Sequence, residues 1–331
     1  MSQQSNGYWA LQVGQLSDDF SGVALCKHPV PQVREQQVLV RVRAAALNFP
    51  DVLLTQGLYQ LKPSLPFVPG FEASGEVMAV GAGVTHVRVG DAVVVKARLG
   101  ALAEVLLAEA ADVRLKPDTL SWAEAAGYTV AGLTAWVSLV HRGRLQSGET
   151  LVVHGATGGT GMAAIQLGRH LGARVIATGR SLGKLSAAQA VGAHEVLALG
   201  PGLRERLLAL TDQRGVDVVF DPVGGDVFDE SLRALAWEGR LLVIGFVSGR
   251  AAQLGSNYLL IKGISVLGVR AGEFARRNPA GGALALQAVD ALAAQGVLRP
   301  HIDAEFPLAQ AVQALQRLAE GGVAGKVVVT M

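Results

Sequence analysis

The stretch that decides the fold runs from residue 150 to residue 161 and reads TLVVHGATGGTG. Its first part, residues 150–154, is a short apolar run of the kind that forms a buried parallel strand. The rest is a glycine-rich turn, and it leads into a segment of helical length that starts at Thr160 and stops before Gly172. A strand, a glycine-rich turn and a helix in this order predict a backbone that comes close to a phosphate group.

The turn is a candidate site for the pyrophosphate of a dinucleotide. Without side-chain bulk, backbone N–H groups and the positive end of the following helix can reach the phosphates. Ala156 stands where the usual G-x-G-x-x-G fingerprint has its first glycine, so the motif is a variant, and a tight turn without a ligand stays open as an alternative. The candidate binding residues are Ala156, Thr157, Gly158, Gly159, Thr160 and Gly161.

After about Thr129, apolar strands alternate with segments of helical length, which is typical of βαβ units and a mainly parallel sheet. Six strands are predicted, and this number fits an α/β Rossmann dinucleotide-binding domain with a six-stranded parallel sheet. They cover residues 150–154, 174–178, 195–198, 216–221, 240–245 and 265–269. Before about Thr129, short β-type runs between glycine-rich turns indicate a mainly β unit instead.

The second predicted strand ends in Thr178-Gly179-Arg180-Ser181, where NAD-binding proteins of this fold carry an acidic residue for the adenosine ribose. No Asp or Glu occurs between Ala173 and His194. A carboxylate would repel a 2′-phosphate, whereas Arg180 and Lys184 offer two cations beside Gly179. The pattern therefore favours NADPH over NADH; the alternative is that both cations are ordinary surface residues.

Composition limits the remaining possibilities. The chain has 331 residues, 50% apolar and 17% charged, which suggests about two domains with a packed core. A net charge of +2 without a dense basic cluster argues against a nucleic-acid surface. The longest run without a charge, between Glu124 and His141, is too short and too polar to span a bilayer. The single cysteine, Cys26, and a start without an apolar signal stretch predict a cytoplasmic protein.

Taken together, these features resemble the zinc-free quinone reductases, the zeta-crystallin-like family of the medium-chain dehydrogenase/reductase superfamily. The motifs that carry the resemblance lie in the family's order along almost the whole chain. They are Leu47-Asn48-Phe49-Pro50-Asp51, Gln56-Gly57-Leu58-Tyr59, Pro66-Phe67-Val68-Pro69-Gly70-Phe71-Glu72, Gly90-Asp91, Gly132-Leu133-Thr134-Ala135-Trp136, the 155–161 turn, Asp221-Pro222-Val223-Gly224-Gly225 and Gly325-Lys326-Val327.

The resemblance implies how the chain is divided into domains. A GroES-like, mainly β catalytic domain would consist of residues 1–128 and 270–331, and a Rossmann NADPH-binding domain would occupy residues 129–269 between them. It also implies a cleft that binds the nicotinamide. The protein would be a homodimer in which edge strands at residues 265–269 pair across a two-fold axis.

Alcohol dehydrogenases of the same superfamily hold a catalytic zinc through a cysteine, a His-Glu pair and a second cysteine. Here Asn48 stands in the region of the first cysteine, Phe71 precedes Glu72 where histidine would be, and Cys26 is the only thiol. The seven histidines are scattered without paired spacing. We therefore expect no metal, and direct hydride transfer to an acceptor that is already activated, such as a quinone or an α,β-unsaturated carbonyl.

Two residues on the substrate side follow from the resemblance. Asn48 matches an asparagine that lies near the nicotinamide ribose and the substrate in similar enzymes, and Tyr59 can donate a hydrogen bond or a proton to an enolate or hydroquinone oxygen. The alternatives are an asparagine that stabilises a turn and a packed loop aromatic. The same resemblance marks as cofactor contacts Asn48, Thr134, Val223, Phe246, Val247 and Lys326.

Two other functions stay open. The spacing of Asn48 and Tyr59 is also similar to that of enoyl thioester reductases of the superfamily, whose CoA or carrier-protein substrates need cations such as Arg270, Arg276 and Arg277. Leu53 stands where related quinone reductases often carry a second tyrosine. A protein of this family could also bind NADPH without turnover, as a sensor or a structural protein.

Overall fold

The structure is a computed structural model, and it describes residues 7–331. The chain forms two compact units. Unit 1 runs to Val130 and resumes from Arg299 to Met331, and unit 2 runs from Ala131 to Leu298. The second boundary lies later than the 269/270 division that the sequence suggests. A Cβ on Gly132 would lie 2.8 Å from Val289 Cγ1, so residues near 289 pack against the helix that begins unit 2.

The secondary structure comprises fifteen strands and ten α-helices in the described residues. The strands are β1 (Gly7–Val13), β2 (Val23–Pro29), β3 (Gln37–Ala46), β4 (Glu72–Val80), β5 (Ala92–Lys96), β6 (Val105–Glu109), β7 (Val113–Leu115), β8 (Thr150–Val153), β9 (Arg174–Gly179), β10 (Glu195–Ala198), β11 (Val216–Asp221), β12 (Leu235–Val243), β13 (Ser265–Gly268), β14 (Ile302–Pro307) and β15 (Lys326–Thr330). The helices are α1 (Phe49–Thr55), α2 (Trp122–Trp136), α3 (Gly159–His170), α4 (Leu182–Ala190), α5 (Leu203–Leu210), α6 (Gly225–Ala234), α7 (Ser256–Lys262), α8 (Ala271–Arg277), α9 (Pro279–Ala294) and α10 (Ala311–Ala319).

Unit 1 is built on a seven-stranded sheet with the order β14-β15-β3-β4-β5-β7, to which β6 adds by pairing with β3. All its pairs are antiparallel except β14 with β15. Its core contains Val40 and Val93 from the sheet and Leu315 from α10, all fully buried. Helix α10 therefore packs its Leu315 into this core.

Unit 2 contains a six-stranded parallel sheet with the order β10-β9-β8-β11-β12-β13. This confirms the predicted sheet and the position of β13 at its edge. Val152, Val219 and Leu241 from three neighbouring strands share one buried core. The chain order of the strands reverses between β8 and β11, and ligands of such sheets bind at the carboxyl ends of the strands on either side of that reversal.

Candidate active site

The glycine-rich turn connects β8 to α3 with little side-chain bulk. Gly155 has a φ of +58°, a conformation that glycine adopts without strain. A Cβ on Gly161 would lie 2.4 Å from the carbonyl oxygen of Gly155, so this position has room only for a glycine. The N–H of Ala156 donates to Thr178 O at 3.1 Å and holds the turn against β9. The structure therefore contains the tight turn that the sequence predicts.

The N-terminus of α3 can receive an anion. Its N-cap is Gly158, which has no side chain that could accept a hydrogen bond from the first N–H groups of the helix. These N–H groups and the helix dipole together favour a bound phosphate. The residues present thus fit the pyrophosphate of a dinucleotide cofactor.

The loop after β11 lies beside the glycine turn. A Cβ on Gly155 would lie 3.1 Å from Pro222 Cγ and 3.7 Å from Val223 Cγ2. Asp221 Oδ1 accepts hydrogen bonds from the N–H groups of Val223 and Gly224, at 2.8 and 2.9 Å. The side chain of Asp221 thereby fixes Val223 near the turn.

The segment after β12 lies alongside the same loop. The N–H of Val247 donates to Pro222 O at 3.0 Å, and the side chains of Phe246 and Val247 are 50% and 59% exposed. Unit 2 therefore brings Val223, Phe246 and Val247 close to the glycine turn. Thr134 lies on α2, where its carbonyl oxygen accepts a hydrogen bond from Ser138 Oγ at 2.6 Å.

The end of β9 carries the two predicted phosphate cations. Gly179 is buried, and a Cβ there would lie 3.2 Å from Leu185 Cδ2. Arg180 follows it at the surface, and Lys184 is exposed in the first turn of α4. Both cations are thus accessible at the strand end where a dinucleotide-binding sheet meets the adenosine ribose.

His154 is fully buried beneath the glycine turn. Its Nδ1 lies 2.6 Å from Thr178 Oγ1 and its Nε2 lies 2.7 Å from Ser231 Oγ. Burial lowers the pKa of this imidazole, with an opposing effect of the Asp221 charge. A neutral His154 therefore links β8 to β9 and α6, a role that its isolated place in the sequence does not reveal.

A buried polar cluster in unit 1 joins Asn48, Glu72 and Lys326, which we call the Asn48 cluster. Lys326 Nζ donates to Asn48 Oδ1 and to Glu72 Oε1, both at 2.8 Å. Asn48 Nδ2 donates to Glu72 Oε1 at 3.0 Å and to Ala46 O at 3.3 Å. Glu72 Oε2 accepts from the N–H of Val130 at 2.8 Å. Asn48 and Lys326 are thus brought together by Glu72, whose role has no signature in the sequence.

Asp51 positions the loop that carries Asn48. Its carboxylate accepts hydrogen bonds from the N–H of Asn48 at 2.8 Å and from the N–H of Gly70 at 2.9 Å. Burial raises the pKa of Asp51 to about 7, although both hydrogen bonds and the Lys326 charge oppose this shift. Asp51 therefore ties the start of α1 to the segment just before Glu72.

Tyr59 lies on the loop after α1, half-buried. Its ring meets the ring of Phe71 edge to face, with 5.9 Å between the ring centroids. The ring position is thus set by Phe71, the residue next to Glu72. Leu58, the residue before Tyr59 in the chain, is 66% exposed.

Neither a metal centre nor a membrane span is seen in the described part of the chain. No three His, Cys, Asp or Glu side chains within residues 7–331 lie together so that they could hold a metal ion. Across the same residues, every helix is too short or too polar to cross a membrane.

Comparison with known proteins identifies the family. Residues 34–146 match the alcohol dehydrogenase GroES-like domain, and residues 159–291 match the zinc-binding dehydrogenase family. Quinone oxidoreductase-like protein 2 of Mus musculus is 37% identical over 301 residues, which cover 90% of this chain and 86% of that protein. The chain belongs to the quinone oxidoreductase family.

Two further comparisons place this quinone oxidoreductase family member among medium-chain dehydrogenases/reductases. The quinone oxidoreductase of Sus scrofa is 30% identical over 305 residues, 91% of each chain. The solved structure of mycobacterial Rv1454c complexed with NADPH has a TM-score of 0.89 and 30% identity, over 98% of this chain and 100% of that one. The family assignment confirms the resemblance and the combination of a GroES-like and a Rossmann-type domain.

Proposed function

We propose that this protein is an NADPH-dependent, zinc-independent reductase that transfers hydride to quinones or α,β-unsaturated carbonyls. The observation that carries the proposal is the end of β9, where Arg180 and Lys184 are exposed in a stretch of sequence that contains no Asp or Glu. A pyrophosphate at α3 and a 2′-phosphate at these cations are the two anionic groups by which NADPH is recognised.

Each part of the cofactor can be assigned to residues of this chain. We assign the pyrophosphate to residues 156–161, the 2′-phosphate to Gly179, Arg180 and Lys184, and the nicotinamide half to Val223, Phe246 and Val247. Asn48, Thr134 and Lys326 complete the proposed set. When bound, NADPH supplies a hydride from C4 of its nicotinamide ring.

The proposed acceptor must be electrophilic without the help of a metal. Quinones and α,β-unsaturated carbonyls meet this condition, because the negative charge that follows hydride addition is delocalised onto an oxygen. The Tyr59 hydroxyl can donate a hydrogen bond or a proton to that oxygen, and the exposed side chain of Leu58 beside it suits an apolar acceptor.

The charges of α8 bear on the enoyl thioester alternative. Arg276 and Arg277 both pair with Glu273, at 2.7 and 2.5 Å. Hydrogen bonds from the two guanidinium groups lower the pKa of Glu273 to about 2, so this carboxylate stays ionised. With one carboxylate for two guanidinium groups, α8 keeps a net positive charge, and the assay described below separates the two acceptor classes.

A homodimer is part of the proposal. Within the described residues, strand β13 has a neighbour on one side only, and such an edge can pair with the same edge of a second copy. Beside it lie exposed apolar side chains: Trp237 is 69% exposed, Leu260 84% and Ile261 67%. A cytoplasmic location also belongs to the proposal, and a single cysteine favours a reducing compartment.

The experiment that tests the function measures oxidation of NADPH and of NADH by the purified protein, with an ortho-quinone and a short enoyl-CoA offered in parallel. We expect turnover of the quinone with NADPH. Turnover of the thioester alone would assign the protein to the enoyl thioester reductases. Tight NADPH binding without turnover of either acceptor would make it a non-catalytic NADPH-binding protein.

A further inference from the structure

The side chain of Asp221 is a buried carboxylate at the carboxyl end of β11. It is 0% exposed, and its Oδ1 accepts the N–H groups of Val223 and Gly224 at 2.8 and 2.9 Å. The other oxygen, Oδ2, is buried as well and has no hydrogen-bond partner among residues 7–331. A carboxylate that is buried with an unpartnered oxygen is costly for the fold, which indicates a role beyond the support of this turn.

The basic side chains near Asp221 leave its charge uncompensated. Burial lowers the pKa of the His154 imidazole, so this ring is neutral, although the Asp221 charge acts in the opposite direction. Arg250, from the loop after β12, pairs with Asp226 and Asp229 instead, at 2.6 and 3.2 Å. In the described part of the chain, the hydrogen bonds of Asp221 therefore come from backbone N–H groups, which carry partial charges only.

This charge lies at the base of the loops that we assign to the nicotinamide half of the cofactor. Asp221 bonds the N–H of Val223 directly, and the N–H of Val247 donates to Pro222 O at 3.0 Å. Strand β11 also borders the point where the strand order reverses, and ligands of parallel sheets bind at the carboxyl ends of the strands there. The Asp221 carboxylate is thus buried directly behind the proposed nicotinamide contacts.

The charge of the nicotinamide ring differs between the two forms of the cofactor. The ring is neutral in NADPH and positive in NADP⁺, after the hydride has left C4. A negative charge in a buried site is weakly screened, so it attracts the oxidised ring more than the reduced one. Because an equilibrium shifts toward the form that is bound more tightly, such a charge favours release of the hydride.

We propose that the buried charge of Asp221 stabilises bound NADP⁺ relative to bound NADPH and so makes the bound cofactor a stronger hydride donor. The inference deepens the proposed function and rests on its assignment of Val223 to the nicotinamide half. The hydride, with its electron pair, passes from C4 to the acceptor, and a proton completes the product. Asp221 exchanges neither a proton nor an electron in this reaction and acts through its charge.

The test removes the charge of Asp221 and keeps the shape of its side chain. In Asp221→Asn, the remaining oxygen can still accept the N–H groups of Val223 and Gly224, and an NH₂ group takes the place of Oδ2. If this variant does not fold, the same measurements are made on Asp221→Ser, whose smaller hydroxyl group can accept the N–H of Val223.

The matched control is Asp217→Asn, on the same strand. Asp217 Oδ2 also accepts a backbone N–H, from Thr150 at 2.7 Å. It lies at the other end of β11, four residues and about 13 Å before Asp221. The control thus removes a carboxylate from the same strand at a distance from the proposed nicotinamide contacts.

Three dissociation constants are measured for each protein. The Kd for NADPH comes from a fluorescence titration, and those for NADP⁺ and for 2′-phospho-ADP-ribose come from displacement of NADPH. The last ligand lacks the nicotinamide ring. We expect Asp221→Asn to raise the Kd for NADP⁺ about tenfold more than the Kd for NADPH, and to leave the Kd for 2′-phospho-ADP-ribose unchanged. In Asp217→Asn, the ratio of the Kd values for NADP⁺ and NADPH should equal that of the wild type.

The outcomes separate a role of the charge from a role in the fold. Equal changes in the Kd of all three ligands would overturn the inference, since Asp221 would then only support the turn. A folded Asp221→Asn protein with the wild-type ratio of NADP⁺ to NADPH affinity would overturn it as well. A wild-type protein that binds NADPH and reduces no acceptor would instead refute the proposed reductase, and the ratio of the two Kd values would still decide the role of Asp221.

Discussion

Lys326 Nζ lies 2.8 Å from Glu72 Oε1, although 254 positions separate the two residues in the chain. Their side chains are 5% and 1% exposed. A buried ion pair of this kind contributes little net stability, but the loss of one partner is costly because the other charge stays buried. Removal of either side chain should therefore destabilise unit 1 by more than the pair itself stabilises it.

The first prediction concerns the choice of cofactor. Replacing Arg180 and Lys184 by Ala should raise the KM for NADPH by about 10- to 100-fold, since charge-assisted hydrogen bonds to the 2′-phosphate are lost. The KM for NADH should stay unchanged, because NADH lacks that phosphate. Arg142→Ala, which removes another exposed cation of unit 2, serves as the control. An equal rise for both cofactors would contradict the assignment.

The second prediction concerns the glycine turn. Gly161→Ala should abolish measurable NADPH binding in a fluorescence titration, because the new Cβ would lie 2.4 Å from Gly155 O and the backbone must move. Gly272→Ala on α8 is the control, since its Cβ would meet nothing within 4 Å. Unchanged NADPH affinity in a folded Gly161→Ala protein would speak against phosphate binding at this turn.

The third prediction concerns proton donation. Tyr59→Phe keeps the ring that packs on Phe71 and removes only the hydroxyl. If the hydroxyl delivers a proton to the reduced acceptor, kcat with an enone should fall about 100-fold, the lower range for a general acid. Tyr258→Phe on α7 is the control. Turnover that stays unchanged on every accepted substrate would refute proton donation by Tyr59.

The fourth prediction concerns pH and the stability of unit 1. Because burial raises the pKa of Asp51 from 3.8 to about 7, the folded protein binds more protons at this site than the unfolded chain between those two values. Asp51 should therefore make the free energy of unfolding fall as pH rises through this window, by on the order of 4 kcal/mol, and remain level above it.

The measurement for Asp51 is urea unfolding of the wild type and of Asp51→Asn from pH 4.5 to pH 8, a range of about 3.5 pH units that covers most of the window. The variant cannot ionise at this position, so the wild type should lose stability relative to it as pH rises. A difference that is constant across the range, or that grows in favour of the wild type, would contradict the raised pKa.

The fifth prediction concerns the edge of the parallel sheet. Leu260→Glu and Ile261→Glu place charges on the exposed apolar surface next to β13 and should convert a dimer to a monomer in light scattering. Leu284→Glu on α9 is matched to Ile261 in exposure, at 67% for both residues, and should leave the assembly unchanged. A wild-type monomer at working concentration would refute the dimer itself.

Local patterns sufficed to predict much of unit 2. The predicted bounds of β10 and β11 agree with the structure, because each strand is a short apolar run between turns. Strand β12 begins at Leu235, earlier than predicted, since Trp237 and Glu238 interrupt its apolar pattern with exposed side chains. A search for apolar runs does not find the start of a strand whose side chains are exposed there.

The parts of the candidate site that depend on neighbouring residues in the chain can be proposed from the sequence. The turn at residues 155–161 and the cations after β9 follow from local sequence alone. The pairing of Glu72 with Lys326 does not, because a carboxylate and an ammonium in distant segments have no shared pattern until strands β3, β4 and β15 bring them together. The contacts of the buried His154 cannot be predicted for the same reason, since Ser231 lies 77 positions away.

The number of residues between Glu72 and Lys326 also determines how long after Glu72 the ribosome adds Lys326 to the chain. At synthesis rates of about 5–20 residues per second, the 254 intervening positions correspond to roughly 13 to 50 s on the ribosome. Throughout this interval the residues of β15, and with them the ammonium partner of Glu72, have not yet been synthesised. All of unit 2 is synthesised within the same interval, so its parallel sheet can fold before unit 1 is completed.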